Sequence, residues 1–217
     1  MPPPTPLAGH TSAGDPSVGA TMPIPAGARS VVVDFQCTGG TFFEVGFGDR
    51  TTRGNAMMLD DAPYHGRCGG TKEFAWPVVA GMDGTLHVLI PANADWTAVP
   101  HFSTDEFTRD AAVTMDCKKF SWVAGELSDA DNGYLTKAFG ADEWRTRVDQ
   151  AATDLAAQAA SSQSPLKGLL TQLVPRLRDP ALKPGSSQSV TQPIGTQVGD
   201  ACTANQTEFV IQAHFGG

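Results

Sequence analysis

The sequence of 217 residues lacks the features that mark several large classes of protein. Lys and Arg number 15 against 23 Asp and Glu, a net charge of −8, so there is no basic surplus to neutralise nucleic-acid phosphates or an anionic membrane surface. No apolar run approaches the ~20 residues that a transmembrane helix needs. Charged residues make up 18%, while glycine and proline number 23 and 16. This composition predicts a turn-rich β region rather than an all-helical protein.

The motifs of common enzyme and cofactor chemistry are also missing. There is no G-x-S-x-G nucleophile elbow, no G-x-x-x-x-G-K-[ST] loop and no G-x-G-x-x-G between a strand and a helix. The stretch SDADNG at 128–133 fails the EF-hand pattern, because Phe139 stands where that pattern requires its terminal glutamate. Acidic pairs such as Asp60-Asp61 are typical of solvated turns. The sequence therefore predicts no catalytic residues, no metal site and no cofactor.

The chain contains four cysteines, and their spacing favours disulfides. None belongs to a C-x-x-C pair, which excludes a zinc ribbon and a thioredoxin-like redox motif, and the five histidines are scattered singly. Cys37 and Cys68 lie in segments with strand periodicity, whereas Cys117 and Cys202 lie on apolar stripes of helical segments. We therefore predict the pairs Cys37–Cys68 and Cys117–Cys202, and hence an oxidising compartment. Four unrelated buried thiols in a cytosolic protein are the alternative.

The first half of the chain shows strand periodicity. Residues 18–103 contain short runs of alternating apolar and polar residues, separated by glycine-rich turns. In SVVVDFQC, one face carries Val31, Val33, Phe35 and Cys37. Several short strands at this spacing predict an antiparallel β-sandwich of jelly-roll or immunoglobulin-like type. The proline-, glycine- and serine-rich residues 1–17 are predicted to form a flexible leader.

The second half changes to helical periodicity and predicts an α+β protein overall. Within residues 104–217, apolar residues recur at spacings of three and four along four successive stripes, which end near Leu127, Ala159, Leu177 and Cys202. They predict an antiparallel four-helix bundle. Its first helix is predicted to have its N-cap at Ser103 or Thr104.

The closing stretch TEFVIQAHFGG returns to alternation. One face would carry Phe209, Ile211, Ala213 and Phe215. This pattern predicts a C-terminal strand that docks on a sheet edge or on the bundle.

Three aromatic residues are candidates for contacts with a ligand. Phe42 falls opposite the apolar face of its strand, Tyr64 lies in a turn-rich stretch beside His65, and Trp96 begins the last strand beside Asp95. Flat exposed rings stack on sugar faces and offer a contact surface of low conformational entropy. Phe42, Tyr64 and Trp96 are therefore predicted to bind a ligand such as a glycan.

The stretches IPAGARSVVVDFQCTGG, GRCGG, FAWPV and CTANQTEFVIQAHFGG, together with the proline-rich start, resemble a group of actinobacterial predicted exported proteins or lipoproteins of unknown function. The similarity covers most of the chain. It implies an extracellular or envelope-associated location, and a lipid anchor on the full-length product is a further expectation. The lipid-bearing cysteine that such proteins carry before the leader is absent from this sequence. The resemblance supplies no catalytic residues.

Three hypotheses about function follow. The first is a non-enzymatic extracellular binding or assembly module of the bacterial cell surface, whose ligand is a glycan or another envelope protein. The second is a secreted hydrolase with a site at the junction of sandwich and bundle. The third is a structural protein that assembles with further copies through its C-terminal strand.

Overall fold

In a computed structural model of the protein, the described residues are 4–48, 63–207, 209 and 211. The chain divides into two compact units, Met1–Thr108 and Arg109–Gly217. Within the described residues, eight strands lie in the first unit and four helices in the second. The protein is therefore α+β, as the sequence predicts.

The strands of the first unit form two antiparallel sheets of four. They are β1 Leu7–Thr11, β2 Ser17–Thr21, β3 Ser30–Thr38, β4 Phe43–Phe47, β5 Tyr64–Gly66, β6 Thr71–Pro77, β7 Thr85–Leu89 and β8 Ala94–Ser103. The sheet orders are β1-β8-β3-β6 and β2-β7-β4-β5. Pairing is nested, because β1 pairs with β8, β2 with β7, β3 with β6 and β4 with β5. The strands are thus paired in order from the outermost to the innermost, as in one long hairpin, and successive pairs alternate between the two sheets.

Period-two alternation decides which face of each strand is buried. Along β3, alternate residues are buried and those between them are half-buried or exposed. The buried ones are Val31, Val33, Phe35 and Cys37. The two sheets share one hydrophobic core, in which the ring of Phe35 on β3 lies 5.1 Å from that of Phe43 on β4.

Two strands begin where the sequence predicts a flexible leader over 1–17. β1 pairs with β8 and β2 pairs with β7, and a turn in which Ser12 and Asp15 exchange backbone hydrogen bonds of 3.0 and 3.2 Å joins them. Gly9 of β1 lies opposite Trp96, and a Cβ on Gly9 would lie 2.5 Å from the indole. The indole of Trp96 occupies the space that a side chain at position 9 would need, and this explains the glycine in β1.

The disulfide Cys37–Cys68 is present as predicted and depends on the glycines that follow Cys37. Gly39 has φ +87°, and a Cβ there would lie 2.6 Å from the carbonyl oxygen of Asn93. A Cβ on Gly40 would lie 3.2 Å from the Sγ of Cys68. A larger residue at Gly39 would therefore overlap backbone, and one at Gly40 would crowd the bridge and the side chain of Ile90, 2.5 Å from its Cβ.

The second unit is built from helices α1 Ala111–Leu135, α2 Ala141–Ser161, α3 Lys167–Leu177 and α4 Ser187–Ala204. Their apolar stripes share one core, and the predicted disulfide Cys117–Cys202 joins α1 to α4. The predicted N-cap of α1 at Ser103 or Thr104 is wrong, since Ser103 is the last residue of β8. Asp110 caps α1 instead, and its carboxylate accepts a hydrogen bond of 2.7 Å from an amide of the first turn.

The end of α4 is attached to the start of α1. Oδ1 of Asn205 accepts a hydrogen bond of 2.7 Å from the amide of Asp110, and Nδ2 of Asn205 donates to the carbonyl of Asp110 and to the hydroxyl of Thr114, both at 3.0 Å. Beyond this contact, the ring of Phe209 stacks on Phe120 with centroids 5.7 Å apart. The predicted C-terminal strand lies mostly outside the described residues.

Candidate binding surfaces

The three aromatic residues predicted to contact a ligand differ in their exposure. Phe42, which directly precedes β4, is 41% exposed. Tyr64 and Trp96 are 8% and 2% exposed and belong to the core of the first unit. The prediction of exposed contacts is therefore wrong for Tyr64 and Trp96.

Strand register explains both corrections. Trp96 lies on the inner face of β8 between Ala94 and Ala98, which are also buried but too small to reveal an apolar face in the sequence. Tyr64 faces inward from β5, where its ring stacks on Phe74 with centroids 4.5 Å apart. The hydroxyl of Tyr64 donates a hydrogen bond of 2.9 Å to the carbonyl of Ala75, so its polar end is satisfied inside the unit.

Phe42 belongs to a cluster on the outer face of β4 and β5, which we call the Phe42 cluster (Phe42, Glu44 and His65). The ring of Phe42 stacks on the imidazole of His65, with centroids 5.9 Å apart and planes at 21°. Glu44 lies opposite His65 in the strand register, and its carboxylate is 3.8 Å from Nδ1 of His65. The cluster combines a flat apolar surface with polar groups that accept and donate hydrogen bonds. That combination suits a ligand with one apolar face and several hydroxyl groups.

The sequence-based candidates do not include Trp122, an exposed tryptophan on α1. Trp122 is 65% exposed, and its Nε1 donates a hydrogen bond of 3.1 Å to the carboxylate of Glu126. Burial raises the pKa of Glu126, the Trp122 hydrogen bond opposes that shift, and the charges of Asp154 and Asp129 add to it. The sequence indicates the exposure of Trp122, because position 122 lies off the apolar stripe that includes Phe120.

A groove of about 810 Å³ lies between α2 and α3. Small apolar side chains line it, and Lys167 and Arg178 lie among its walls. No periodicity of a single helix predicts such a groove, because its two walls come from different helices.

Two aspartates of α1 are buried, and both are occupied by structural hydrogen bonds. The carboxylate of Asp131 accepts hydrogen bonds from Nε1 of Trp144 at 2.8 Å, from the hydroxyl of Ser187 at 2.9 Å and from the amide of Gln188 at 2.9 Å. It thereby caps the start of α4 and connects α1, α2 and α4.

Asp116 has the same role at the connection between α2 and α3. Its carboxylate accepts hydrogen bonds from the hydroxyls of Ser162 at 2.5 Å and Ser164 at 2.6 Å, while its backbone carbonyl accepts one of 2.8 Å from Nε2 of Gln158. These serines are bound to a buried carboxylate, so their hydroxyls have a structural role and are not placed as nucleophiles.

Histidines of the first unit contact carboxylates. Nδ1 of His10 lies 2.8 Å from Asp95 and Nε2 of His101 lies 3.1 Å from Asp34. In the part of the chain that the structure describes, no group of three or more His, Cys, Asp and Glu side chains could hold a metal ion. Of the four described helices, none is both long and apolar enough to cross a membrane.

No protein-family model and no curated protein matches the chain. Among solved structures, the chain is similar to a protein from Bacillus endospore appendages, which form a family of disulfide-linked pili. The two are 13% identical, the similarity covers 46% of this chain and 84% of the other, and the TM-score is 0.28. A likeness at this TM-score supports no conclusion about the function of the chain.

Proposed function

We propose that the protein is a non-enzymatic extracellular binding or assembly module of the bacterial cell surface, and that its first unit binds a glycan. The Phe42 cluster is the observation that carries this proposal. Phe42 keeps 41% of its surface exposed although it directly precedes a strand of the core, and its ring is stacked against His65. A ring held in one orientation loses little conformational entropy when a sugar stacks on it.

The polar members of the cluster would give the site its orientation. Glu44 and His65 lie beside the exposed ring, so hydroxyl groups on the edge of a stacked sugar would meet a carboxylate and an imidazole. His10, His65 and His101 each lie against a carboxylate, as the histidine of a catalytic triad does, but among the described residues none of the three is hydrogen-bonded to a serine hydroxyl, so no serine nucleophile is placed beside them.

The two disulfides support an extracellular or envelope location. Each unit has one bridge, Cys37–Cys68 or Cys117–Cys202, and disulfides persist in oxidising compartments. Membership in the actinobacterial group of exported proteins and lipid anchoring of the full-length product belong to the same proposal.

We also propose that the first unit is a β-sandwich of jelly-roll type and the second an antiparallel four-helix bundle, each an independent domain. The nested pairing from β1–β8 to β4–β5 supports a jelly roll, because that fold arises when an eight-stranded hairpin rolls into two sheets. The single core shared by the four helices supports a bundle.

Retention on immobilised bacterial cell-wall polysaccharide tests the binding function. Phe42→Ala should weaken retention roughly fivefold, because one stacking contact contributes about 1 kcal/mol. Val79→Ala is the matched control, since Val79 lies in the same unit and is 42% exposed. Equal retention of both variants, or no retention of the unaltered protein by any wall polysaccharide, would overturn the glycan proposal.

A further inference from the structure

The charge of the α3 region is opposite to that of the chain. Residues 164–190 contain four of the 15 Lys and Arg residues but one of the 23 Asp and Glu residues. The basic residues are Lys167, Arg176, Arg178 and Lys183. In a protein of net charge −8, a basic segment of this kind attracts an anionic partner locally while the rest of the surface repels it. An anionic partner would therefore be directed to this region.

The groove between α2 and α3 lies within this basic region. On α3, the lining residues Lys167, Thr171, Val174 and Arg178 are spaced by four, three and four, so they form one stripe. The opposite wall on α2 consists of alanines, including Ala156 and Ala160. At 1.5 Å per residue, Lys167 and Arg178 are roughly 16 Å apart along the helix. The groove is thus an apolar channel with a cation near each end, and Asp179 lies beside the cation at the Arg178 end.

Neither cation of the groove is neutralised by a carboxylate in the part of the chain that the structure describes. Neither Lys167 nor Arg178 forms an ion pair with any residue that the structure describes. Nζ of Lys167 lies 3.4 Å from the carbonyl oxygens of both Ala160 and Ser162, which hold the ammonium group at the end of α2 without neutralising its charge. Asp179, the acidic residue beside Arg178, accepts a hydrogen bond of 2.8 Å from the amide of Ala181. Asp179 also lines the groove, so a carboxylate that approaches Arg178 meets one acidic side chain beside it.

A proline within α3 leaves one backbone carbonyl in the middle of the groove wall without its usual donor. Pro175 lies inside α3 and has no N–H, so the carbonyl of Thr171 lacks the donor that an α-helix normally provides four residues later. Both residues line the groove. A ligand that carries an N–H or O–H at this depth could use that carbonyl.

From these contacts we infer that the α2–α3 groove binds an acidic segment of a partner protein. Such a segment supplies carboxylates to both cations, apolar side chains to the alanine wall and donors to the Thr171 carbonyl. A fatty acid or other acyl chain would have one anionic end and no donor in its middle. A segment of about 11 residues as a helix, or about five as an extended strand, matches the distance between Lys167 and Arg178.

A random peptide library, displayed on phage with inserts of about 12 residues and selected on the full chain, tests this inference without choosing a sequence in advance. Selected peptides should be enriched in Asp and Glu. Their affinity, measured by fluorescence anisotropy of synthetic copies, should fall about 10-fold or more for the double variant Lys167→Glu with Arg178→Glu, because two attractions become repulsions.

Two controls separate binding from folding and from net charge. Lys118→Glu with Lys119→Glu changes the net charge of the chain equally on exposed positions of α1 and should leave the affinity unchanged. Ala160→Leu fills the groove without altering charge and should weaken the same peptides, whereas Ala157→Leu on the exposed side of α2 should not. Melting temperatures of all variants confirm that the second unit remains folded.

The outcomes are decisive in both directions. Acidic peptides that bind the Lys118/Lys119 variant but not the Lys167/Arg178 variant support the inference. Selected peptides without acidic enrichment, or with equal affinity for both charge-reversed variants, overturn it. It is also overturned if dodecanoate or vesicles of anionic phospholipid displace the selected peptides and bind the groove more tightly. None of these results involves Phe42, so the glycan proposal stands or fails separately.

Discussion

The two units each contain one disulfide and one hydrophobic core, but different kinds of side chain fill the two cores. In the first unit the largest fully buried side chains include the rings of Phe35, Phe43 and Trp76, which contact other rings of the same core. In the second unit the fully buried side chains are mostly leucines such as Leu155 and Leu170, and two carboxylates lie among them. Rings dominate the first core, and aliphatic side chains with buried hydrogen-bond acceptors dominate the second.

Backbone hydrogen bonding explains the difference. Interior strands have their N–H and C=O groups paired by the neighbouring strands, so the buried side chains of the first unit mainly fill space. A helix leaves four N–H groups unpaired at its start, and a buried start needs an acceptor from elsewhere. Asp131 provides one for α4, and Asp116 orders the turn that leads into α3. The stability of the first unit therefore depends on how closely its side chains pack. The stability of the second unit also depends on individual hydrogen-bond acceptors.

Removal of the disulfides should have the largest effect, and each removal should destabilise only the unit that contains that disulfide. Cys117→Ala with Cys202→Ala should lower the free energy of unfolding of the second unit by about 4.5 kcal/mol, and Cys37→Ala with Cys68→Ala that of the first by about 3.5 kcal/mol, because the sequence separations are 85 and 31. Urea denaturation followed by hydrogen exchange with mass spectrometry assigns each loss to its unit. Loss of protection in the other unit would contradict this separation.

Asp131→Ala should be the most damaging single substitution in the second unit. It would leave four donors without their acceptor, namely the indole N–H of Trp144, the amide and hydroxyl of Ser187 and the amide of Gln188, at a cost of about 3 kcal/mol. Thermal unfolding followed by far-ultraviolet circular dichroism measures this loss. Asp200→Ala, on an exposed position of α4, should change the stability by less than about 0.5 kcal/mol. Equal effects of the two substitutions would show that the buried acceptor is dispensable.

Gly9→Ala should have a smaller effect, confined to the first unit. The added methyl group would overlap the indole of Trp96 and separate β1 from β8, costing about 2 kcal/mol. Hydrogen exchange should show faster exchange of amides in residues 7–11. Gly14→Ala is the control, because a Cβ there meets nothing within 4 Å. If the amides of β1 stay protected in Gly9→Ala, then close packing of Gly9 against Trp96 is not what holds β1 on β8.

Glu126→Gln should have the smallest effect and should depend on pH. The raised pKa of Glu126 means that its protonated form favours folding at pH values below its unfolded pKa, and that this contribution is lost as pH rises through the folded pKa. Near pH 7 the glutamine variant should be more stable by less than about 0.5 kcal/mol, because Glu126 stays partly solvated. Below about pH 4 the two proteins should melt alike. A pH-independent difference would assign the effect to packing instead.

Much of the fold could be predicted because it is encoded locally. Alternation defines β3, stripes at spacings of three and four define the four helices, and both disulfides join segments of matching periodicity. The errors concern features fixed by distant partners. Gly9 forms a strand because of Trp96, and Asp110 starts α1 where Asn205 from the far end of α4 holds it. A single sequence does not display such pairs.

The candidate binding surfaces also include features that the local sequence predicts and features that depend on distant residues. Exposure of Phe42 follows from the alternation of its strand and was predicted, whereas burial of Trp96 depends on small neighbours that mask its face. Trp122 could have been found from its offset to the helical stripe. The α2–α3 groove could not, because Lys167 and Arg178 become one surface only after α2 packs beside them.

The nested strand pairing also has a consequence for synthesis and folding. Leu7 pairs with Ala98, so β1 is translated first but has no partner until nearly the whole unit has been made. Closing so long a loop is entropically slower than forming the local contacts of α1 to α4, and pulse-labelled hydrogen exchange should find β4 protected before β1. Of the described strands of the first unit, β1 must therefore remain unpaired the longest during synthesis.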